Sequence, residues 1–371
     1  MLDLNAIEKP TVLLDEARAR RNLARMAAKA RRNQVRFRPH FKTHQSAEMG
    51  EWFRREGVDA ITVSSLDMAC YFAEAGWQDI LIAFSANPRQ ARGIDELAGR
   101  IHLELLVESA ETVTFLQQRL THAVDLWIKV DTGAHRTGIP MDHHEAIVSL
   151  ANTIRRAGFR FRGLLTHAGH SYHPADGDDV AHIYRQALDG MLRAKDVLAQ
   201  RGFSDVQLSY GDTPSCTLVE DFSGLDEIRP GNFIFYDLMQ LAIGVCAKED
   251  MAVALACPVV AKHDEDGMQR LVLYGGAVHL SKEALEVPGG RSYGGLARLN
   301  ENGWGALLPG ARLYALSQEH GLALVTPEQF ETIQVGDLLA VLPVHSCLTV
   351  DLHPAYLSLN GSSISIRSKN R

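Results

Sequence analysis

Cysteine is scarce in this 371-residue sequence: Cys70, Cys216, Cys246, Cys257 and Cys347 are scattered and odd in number. In a reducing compartment that pattern means thiols, not a disulfide framework, and leaves any one of them open to a metal. No apolar stretch approaches the roughly 20 residues of a spanning helix. The start, MLDLNAIEKPTVLLDEARAR, lacks the charged beginning and apolar centre of a secretory signal, so a cytoplasmic location is the expectation. Long Lys/Arg runs are missing too. With 38 basic against 45 acidic residues the formal charge is −7, which argues against nucleic acid or an anionic membrane as the main partner and leaves small molecules. There is no internal repeat and no low-complexity segment.

What is present is a steady alternation. Short apolar runs recur at VRFRPHF (35–41), AITVSS (60–65), DILIAF (79–84), HLELLVE (102–108), DLWIKVD (125–131), FRGLLTH (161–167), VQLSYG (206–211) and DEIRPG (226–231). Between most of them lie amphipathic helical patterns such as SAEMGEWFRREG (46–57) and DVAHIYRQALDGMLRAKDVLAQRG (179–202). Eight strands with mostly helical crossovers predict an α/β fold, a (β/α)8 TIM barrel. After residue 240 the texture changes to apolar runs at 251–263, 269–278, 310–325 and 337–345, broken by Gly, Pro, Asp and Asn. That texture predicts a mainly antiparallel β domain, which TVLLD (11–15) joins. The expected division is a barrel over 16–245 and a β domain of 1–15 plus 246–371.

Chemically suggestive residues fall where a barrel places its active site, at the C-terminal ends of strands. His40 and Lys42 end the first; Asp131, His135 and Arg136 follow the fifth; His167, His170, Tyr172 and His173 follow the sixth. Ser209, Gly211, Asp212 and Thr213 end the seventh, and Arg229, Gly231 and Asn232 the eighth. A single histidine or lysine in such a place is commonly a helix-capping loop group, but five strand ends converge here. The Gly-containing stretches after strands seven and eight sit where this fold binds phosphate. A nucleophilic lysine opposite a phosphate cup suggests pyridoxal 5′-phosphate. In PVHSC, His345 and Cys347 are two apart at an apparent strand end, so both side chains leave one face. Imidazole plus thiolate suits Zn²⁺, although His-x-Cys by itself is more often a core cysteine beside an incidental histidine.

RPHFKTH, VDTGAHRTGI, THAGHSYH, SYGDTPS, EIRPGNFIFYD and PVHSC, in that order over nearly the whole chain, resemble the D-threonine aldolase and D-serine dehydratase group of alanine-racemase-like (fold type III) pyridoxal-phosphate enzymes. The resemblance implies that Lys42 carries the cofactor, that Arg136 faces its phenolic oxygen and that His167 lies against its ring. It implies a phosphate cup of Ser209, Gly211, Thr213, Gly231 and Asn232, with Tyr172 or Arg229 at the pyridine nitrogen. It turns His345 and Cys347 into ligands of a divalent ion, Zn or Mn, and implies a homodimer. Glu319 and His320 of SQEHG, with His40, become substrate-contact candidates.

The implied activity is a metal-assisted lyase acting on a D-3-hydroxy amino acid, by dehydration or retro-aldol cleavage, with the His-x-Cys form favouring dehydration. Two alternatives stand beside it. A racemase of this fold needs a tyrosine base where this chain has Gly276-Ala277, and a cofactor-carrier protein of the same barrel lacks the β domain. Relatives carry Asp-Ala-Gly where this chain has Tyr274-Gly275-Gly276, which leaves the substrate open.

Overall fold

The computed structural model describes residues 2–174, 179–265 and 267–368. The chain forms two compact units, one of residues 24–42 and 50–231 and the other of 1–23, 43–49 and 232–371. Contacts thus group residues 16–23, 43–49 and 232–245 with the β-rich unit, where the change of texture had suggested boundaries at 16 and 245. Asn22 illustrates why: its side-chain amide donates to the carbonyls of Ile234 and Asp250, tying the first helix to that unit.

In the first unit, strands β2 (Arg36–Phe37), β3 (Ile61–Val63), β4 (Asp79–Ser85), β5 (His102–Val107), β6 (Asp125–Asp131), β8 (Arg160–His167), β9 (Gln207–Gly211) and β10 (Glu227–Ile228) are parallel. They run in the order β2-β10-β9-β8-β6-β5-β4-β3, with β7 (Ile139–Pro140) added beside β6. The ring closes through Phe41 N–H to Thr62 O at 2.8 Å and Thr62 N–H to Pro39 O at 3.0 Å. All eight runs read from the sequence are strands. They are buried on both faces, which is why they appear as continuous apolar runs and not as alternation.

The exceptions inside those runs are charged. Arg38, Glu104 and Glu227 are buried in the barrel interior, where aliphatic layers are the norm. The Arg38 guanidinium donates to Glu227 Oε2 (2.6 Å), Asp79 Oδ1 (2.8 Å) and Glu104 Oε1 (3.1 Å). Trp127 Nε1 meets the other oxygen of Glu104 at 2.5 Å. Each charge has a partner, the condition under which ions are tolerated away from water.

The second unit is a mainly antiparallel sheet. β1 (Thr11–Leu14) pairs antiparallel with β11 (Val253–Glu265) and parallel with Ala355–Ser358, so TVLLD joins this unit as its sequence suggested. β11 pairs with Leu338–Pro343, bends at a bulge between Val259 and Ala261, and continues against β12 (Met268–Tyr274). β12 in turn pairs with His320–Leu324. No described helix is long and apolar enough to cross a membrane.

Candidate active site

At the barrel's C-terminal strand ends, the cations gather around two uncharged imidazoles. His167 ends β8, and its Nδ1 lies 2.8 Å from the Gly211 carbonyl oxygen. The carbonyl can only accept, so Nδ1 carries the proton and Nε2 is a free acceptor. Burial, followed by the charges of Lys42, Lys129, Arg136 and Arg229, holds this ring well below the ordinary histidine value. His40 is held down in the same way, by burial and then by Lys42, Arg229 and His167. Lys42 itself is exposed, in the turn after β2.

Lys129 is the residue that sequence reading passed over. It sits in β6, is buried, and donates to the Val130 carbonyl at 3.0 Å. Burial and the neighbouring Arg229 and Arg136 bring it down to about 7, against the pull of Asp131 and Glu108. Those two carboxylates are occupied with backbone of the same loop. Asp131 Oδ1 accepts from Gly133 N–H (3.0 Å) and His135 N–H (3.1 Å), and Glu108 Oε2 accepts from Gly138 N–H (2.6 Å). They shape the segment that presents Arg136 without balancing the basic groups.

The residues after β9 and β10 divide differently from expectation. The Tyr172 hydroxyl accepts from Thr213 N–H at 3.2 Å, which sets Tyr172 beside the Gly211–Thr213 turn. Ser209 is engaged deeper in the barrel: its hydroxyl donates to Glu227 Oε1 (2.7 Å) and accepts from Arg229 Nε (2.6 Å). Gly211 is needed for a close approach, since a Cβ there would stand 3.1 Å from Arg229 Nη1. Asn232 belongs to the β-rich unit, where its side-chain amide donates to Asp237 Oδ2 and to the Ser346 hydroxyl. Gly231 is half-buried at the end of the barrel segment.

In the β-rich unit, His345 and Cys347 are not two positions on one strand. The strand ends at Pro343, His345 precedes the helix Ser346–Asp351, and Cys347 lies in its first turn. The turn nevertheless brings them together. Cys347 Sγ is 3.1 Å from the Thr43 hydroxyl and 3.8 Å from Asn232 Nδ2. His345 Nδ1 lies 3.3 Å from Asp237 Oδ2 but is not aligned for a hydrogen bond, and Asn232 Oδ1 is likewise buried without a partner among the described residues. Burial disfavours an imidazolium here, yet Cys347 and Asp237 outweigh it and raise His345 well above its ordinary value. A nitrogen, a sulfur and a nearby carboxylate that together attract positive charge form a donor set suited to a borderline-soft divalent ion.

A second trio, Asp79, His102 and Glu104, has ligand atoms within 4.8 Å of one another at the opposite ends of the barrel strands. Arg38 and Arg36 already fill it, Arg38 on Asp79 and Glu104 and Arg36 on Asp79 at 2.9 Å. A guanidinium occupies the place an ion would need.

Glu319, half-buried, ends the turn before the strand His320–Leu324 and His320, exposed, begins that strand; Glu319 stands 3.6 Å from His279 Nε2. This turn explains the Tyr274-Gly275-Gly276 segment. A Cβ at Gly276 would lie 2.4 Å from the Gln318 carbonyl oxygen, and one at Gly275 would lie 2.4 Å from Cys257 Sγ. SQEHG and the two glycines are the two sides of one close contact.

This barrel and β-rich unit define a class. The chain belongs to the alanine racemase N-terminal domain family, which matches residues 14–238, and a putative serine dehydratase domain matches residues 252–359. Among known proteins it is 30% identical to a D-threo-3-hydroxyaspartate dehydratase of Delftia sp. (strain HT23), over 96% of this chain and 95% of that one. It is 27% identical to a D-serine dehydratase of Dictyostelium discoideum (99% and 97%) and 26% identical to a D-threonine aldolase of Arthrobacter sp. (94% and 88%). Among solved structures, a cysteine-to-alanine mutant of D-threo-3-hydroxyaspartate dehydratase in the metal-free form matches with a TM-score of 0.88 at 28% identity, over 100% of both chains.

Proposed function

We propose that this protein is a pyridoxal-phosphate- and divalent-metal-dependent lyase of a D-3-hydroxy amino acid, releasing a 2-oxo acid and ammonia by dehydration. The observation that carries the reading is the set of Lys42, Lys129, Arg136 and Arg229 about two imidazoles held uncharged. Such a set is built for an anion, and the cofactor brings a phosphate, a phenolate oxygen and an aldehyde for a lysine. The bound cofactor supplies an electron sink for Cα, and the ion polarises the β-hydroxyl.

Lys42 holds the cofactor and is the base for the proton on Cα, placed exposed in the turn after β2. His167 keeps its proton at Nδ1 on the Gly211 carbonyl and so meets the ring without adding charge. Arg136 is assigned to the phenolic oxygen, and Tyr172, Gly211, Thr213 and Gly231 to the phosphate end. Ser209 is assigned to Arg229 because its hydroxyl is already engaged there. His345 and Cys347 hold the ion, with zinc preferred for this nitrogen and sulfur pair. Two of the three named relatives are dehydratases, and the metal-free cysteine mutant among the solved structures supports a metal role for Cys347. A homodimer belongs to the same reading; the β-rich unit exposes Tyr274, Val278 and Leu348, as a surface to be covered would.

The test is product analysis of the purified protein on D-serine, D-threonine and D-threo-3-hydroxyaspartate, with and without a chelator. A 2-oxo acid with ammonia, lost on chelation, is the expected result. Glycine with an aldehyde would replace dehydration by cleavage, and racemization unaffected by chelator would overturn the lyase reading.

A further inference from the structure

One carboxylate ties together the ends of three neighbouring barrel strands. Glu108, just beyond β5, accepts from the Ser85 hydroxyl at the end of β4 through Oε1, and from Gly138 N–H in the loop after β6 through Oε2 at 2.6 Å. Ser85 reaches it because of a bulge: β4 pairs Ile82 with Leu105 and then Ser85 with Leu106, so Ala83 and Phe84 are looped out and the last residue of the strand is re-aimed. Gly138 meets the carboxylate with backbone alone, since a Cβ there would lie 2.7 Å from the Asp131 nitrogen. Directly after it, Ile139 and Pro140 return to the sheet beside Val130 and Asp131. On the other side of the loop, Asp131 Oδ1 holds the N–H groups of Gly133 and His135. Arg136 therefore stands between two anchors, His135 before it and Gly138 after it.

The loop is bent hard to stand this way. Gly133, His135 and Gly138 have φ of 119°, 51° and 110°. A left-handed conformation at His135, which is not glycine, costs free energy and persists only where surrounding contacts over-determine it. The Arg136 side chain is exposed, so its aim depends on where the loop sets its backbone. We infer that Glu108 is a positioning residue: backed by Ser85, its carboxylate fixes the loop so that the Arg136 guanidinium is held for the phenolic oxygen of the cofactor. The inference rests on the cofactor reading above. Geometry and charge make different demands at this position. A strap needs an acceptor for Gly138 N–H and a partner for the Ser85 hydroxyl, and a neutral amide supplies both, its oxygen accepting from Gly138 and its NH2 donating to a rotated Ser85 hydroxyl. A counter-ion for the neighbouring Lys129 needs the negative charge, which an amide lacks.

Glu108→Gln and Glu108→Ala therefore part company, and Ser85→Ala serves if Glu108→Ala does not fold. Each apoprotein is titrated by absorbance with pyridoxal phosphate and with its analogue lacking the 3-hydroxyl, and thermal unfolding of the same samples shows that each is folded. The reading is the ratio of the two affinities; a role confined to fold stability lowers both alike and leaves the ratio unchanged. The wild type is expected to prefer the cofactor that carries the hydroxyl. In Glu108→Ala that preference should fall about 10-fold, the scale of one charge-assisted hydrogen bond. Glu108→Gln should keep most of it and Ser85→Ala should lose part of it. The double variant of Ser85→Ala with Glu108→Ala should fall no further than Glu108→Ala alone, because Ser85 acts through Glu108. A wild type without the preference, an unchanged ratio in the folded alanine variants, or a loss in Glu108→Gln as large as in Glu108→Ala would overturn the inference while leaving the lyase reading intact. Failure of the wild type to take up pyridoxal phosphate would overturn both.

Discussion

The two ends of the barrel carry similar residues in opposite states. At the N-terminal strand ends, Arg36 and Arg38 meet Asp79, Glu104 and Glu227 at 2.6–3.1 Å, and His102 joins Asp79 and Asp125. At the C-terminal ends, Lys42, Lys129, Arg136 and Arg229 share one neighbourhood, while Asp131 and Glu108 are tied to backbone N–H groups. Cations paired with carboxylates make a scaffold; cations gathered around two uncharged imidazoles make a binding site. The contrast also separates the two groups of metal-ligand type. Asp79, His102 and Glu104 have their cation in Arg38, whereas His345 and Cys347 have unsatisfied neighbours and attract positive charge.

If the contrast is right, substitutions at the two ends fail in different ways. Lys42→Ala should lower lyase turnover by several orders of magnitude and abolish covalent cofactor retention while leaving the melting temperature of the apoprotein nearly unchanged. Steady-state assays and thermal unfolding check both halves. Cys347→Ala should cost at least about 10- to 100-fold in metal affinity. The absorbance of the bound cofactor should persist, so elemental analysis and spectroscopy on one sample distinguish the two sites.

Arg38→Met should act on stability instead. It leaves Glu104 and Glu227 buried without their cation, at a cost of about 3–5 kcal/mol in denaturant unfolding. The smallest effect is a pH dependence. Hydrogen bonds donated to Asp125 and Asp79 raise His102 to about 9. Its folded value lies above the unfolded one, so the stabilisation is complete below about pH 6.5 and is lost as pH rises through 9. His102 is 44% exposed, and after solvent screening the difference should be about 1 kcal/mol or less. His102→Gln should flatten unfolding free energy across that range.

Much of this was legible in the sequence. Parallel strands buried on both faces write themselves as apolar runs, so the eight barrel strands could be read directly. The charged layer was written there too: Arg38, Glu104 and Glu227 interrupt three of those runs, and a charge in mid-strand of a two-face-buried sheet must have a partner inside. Ser209 was harder. Its motif marks a strand end, but its role depends on Glu227 lying beside it on the neighbouring strand, a register that no local pattern gives. Asn232 and the His345–Cys347 pair show the same limit. A short helix replaces the expected strand end, and it gathers Thr43, Asn232 and Asp237 from distant parts of the chain around the sulfur and imidazole. Lys129 was visible as a lysine in an apolar run; its setting beside Arg136 and Arg229 came only with the fold.

That setting makes Lys129 the natural competitor of Lys42, since a lysine near 7 is the better amine nucleophile at neutral pH, while Lys42 is exposed in the turn after β2. Borohydride reduction of the pyridoxal-phosphate-loaded protein, followed by peptide mapping, puts the two directly against each other. The cation-rich mouth with Lys42 as its reactive member predicts the pyridoxyl group on Lys42 alone. A pyridoxyl group on Lys129, or on neither lysine, would contradict it.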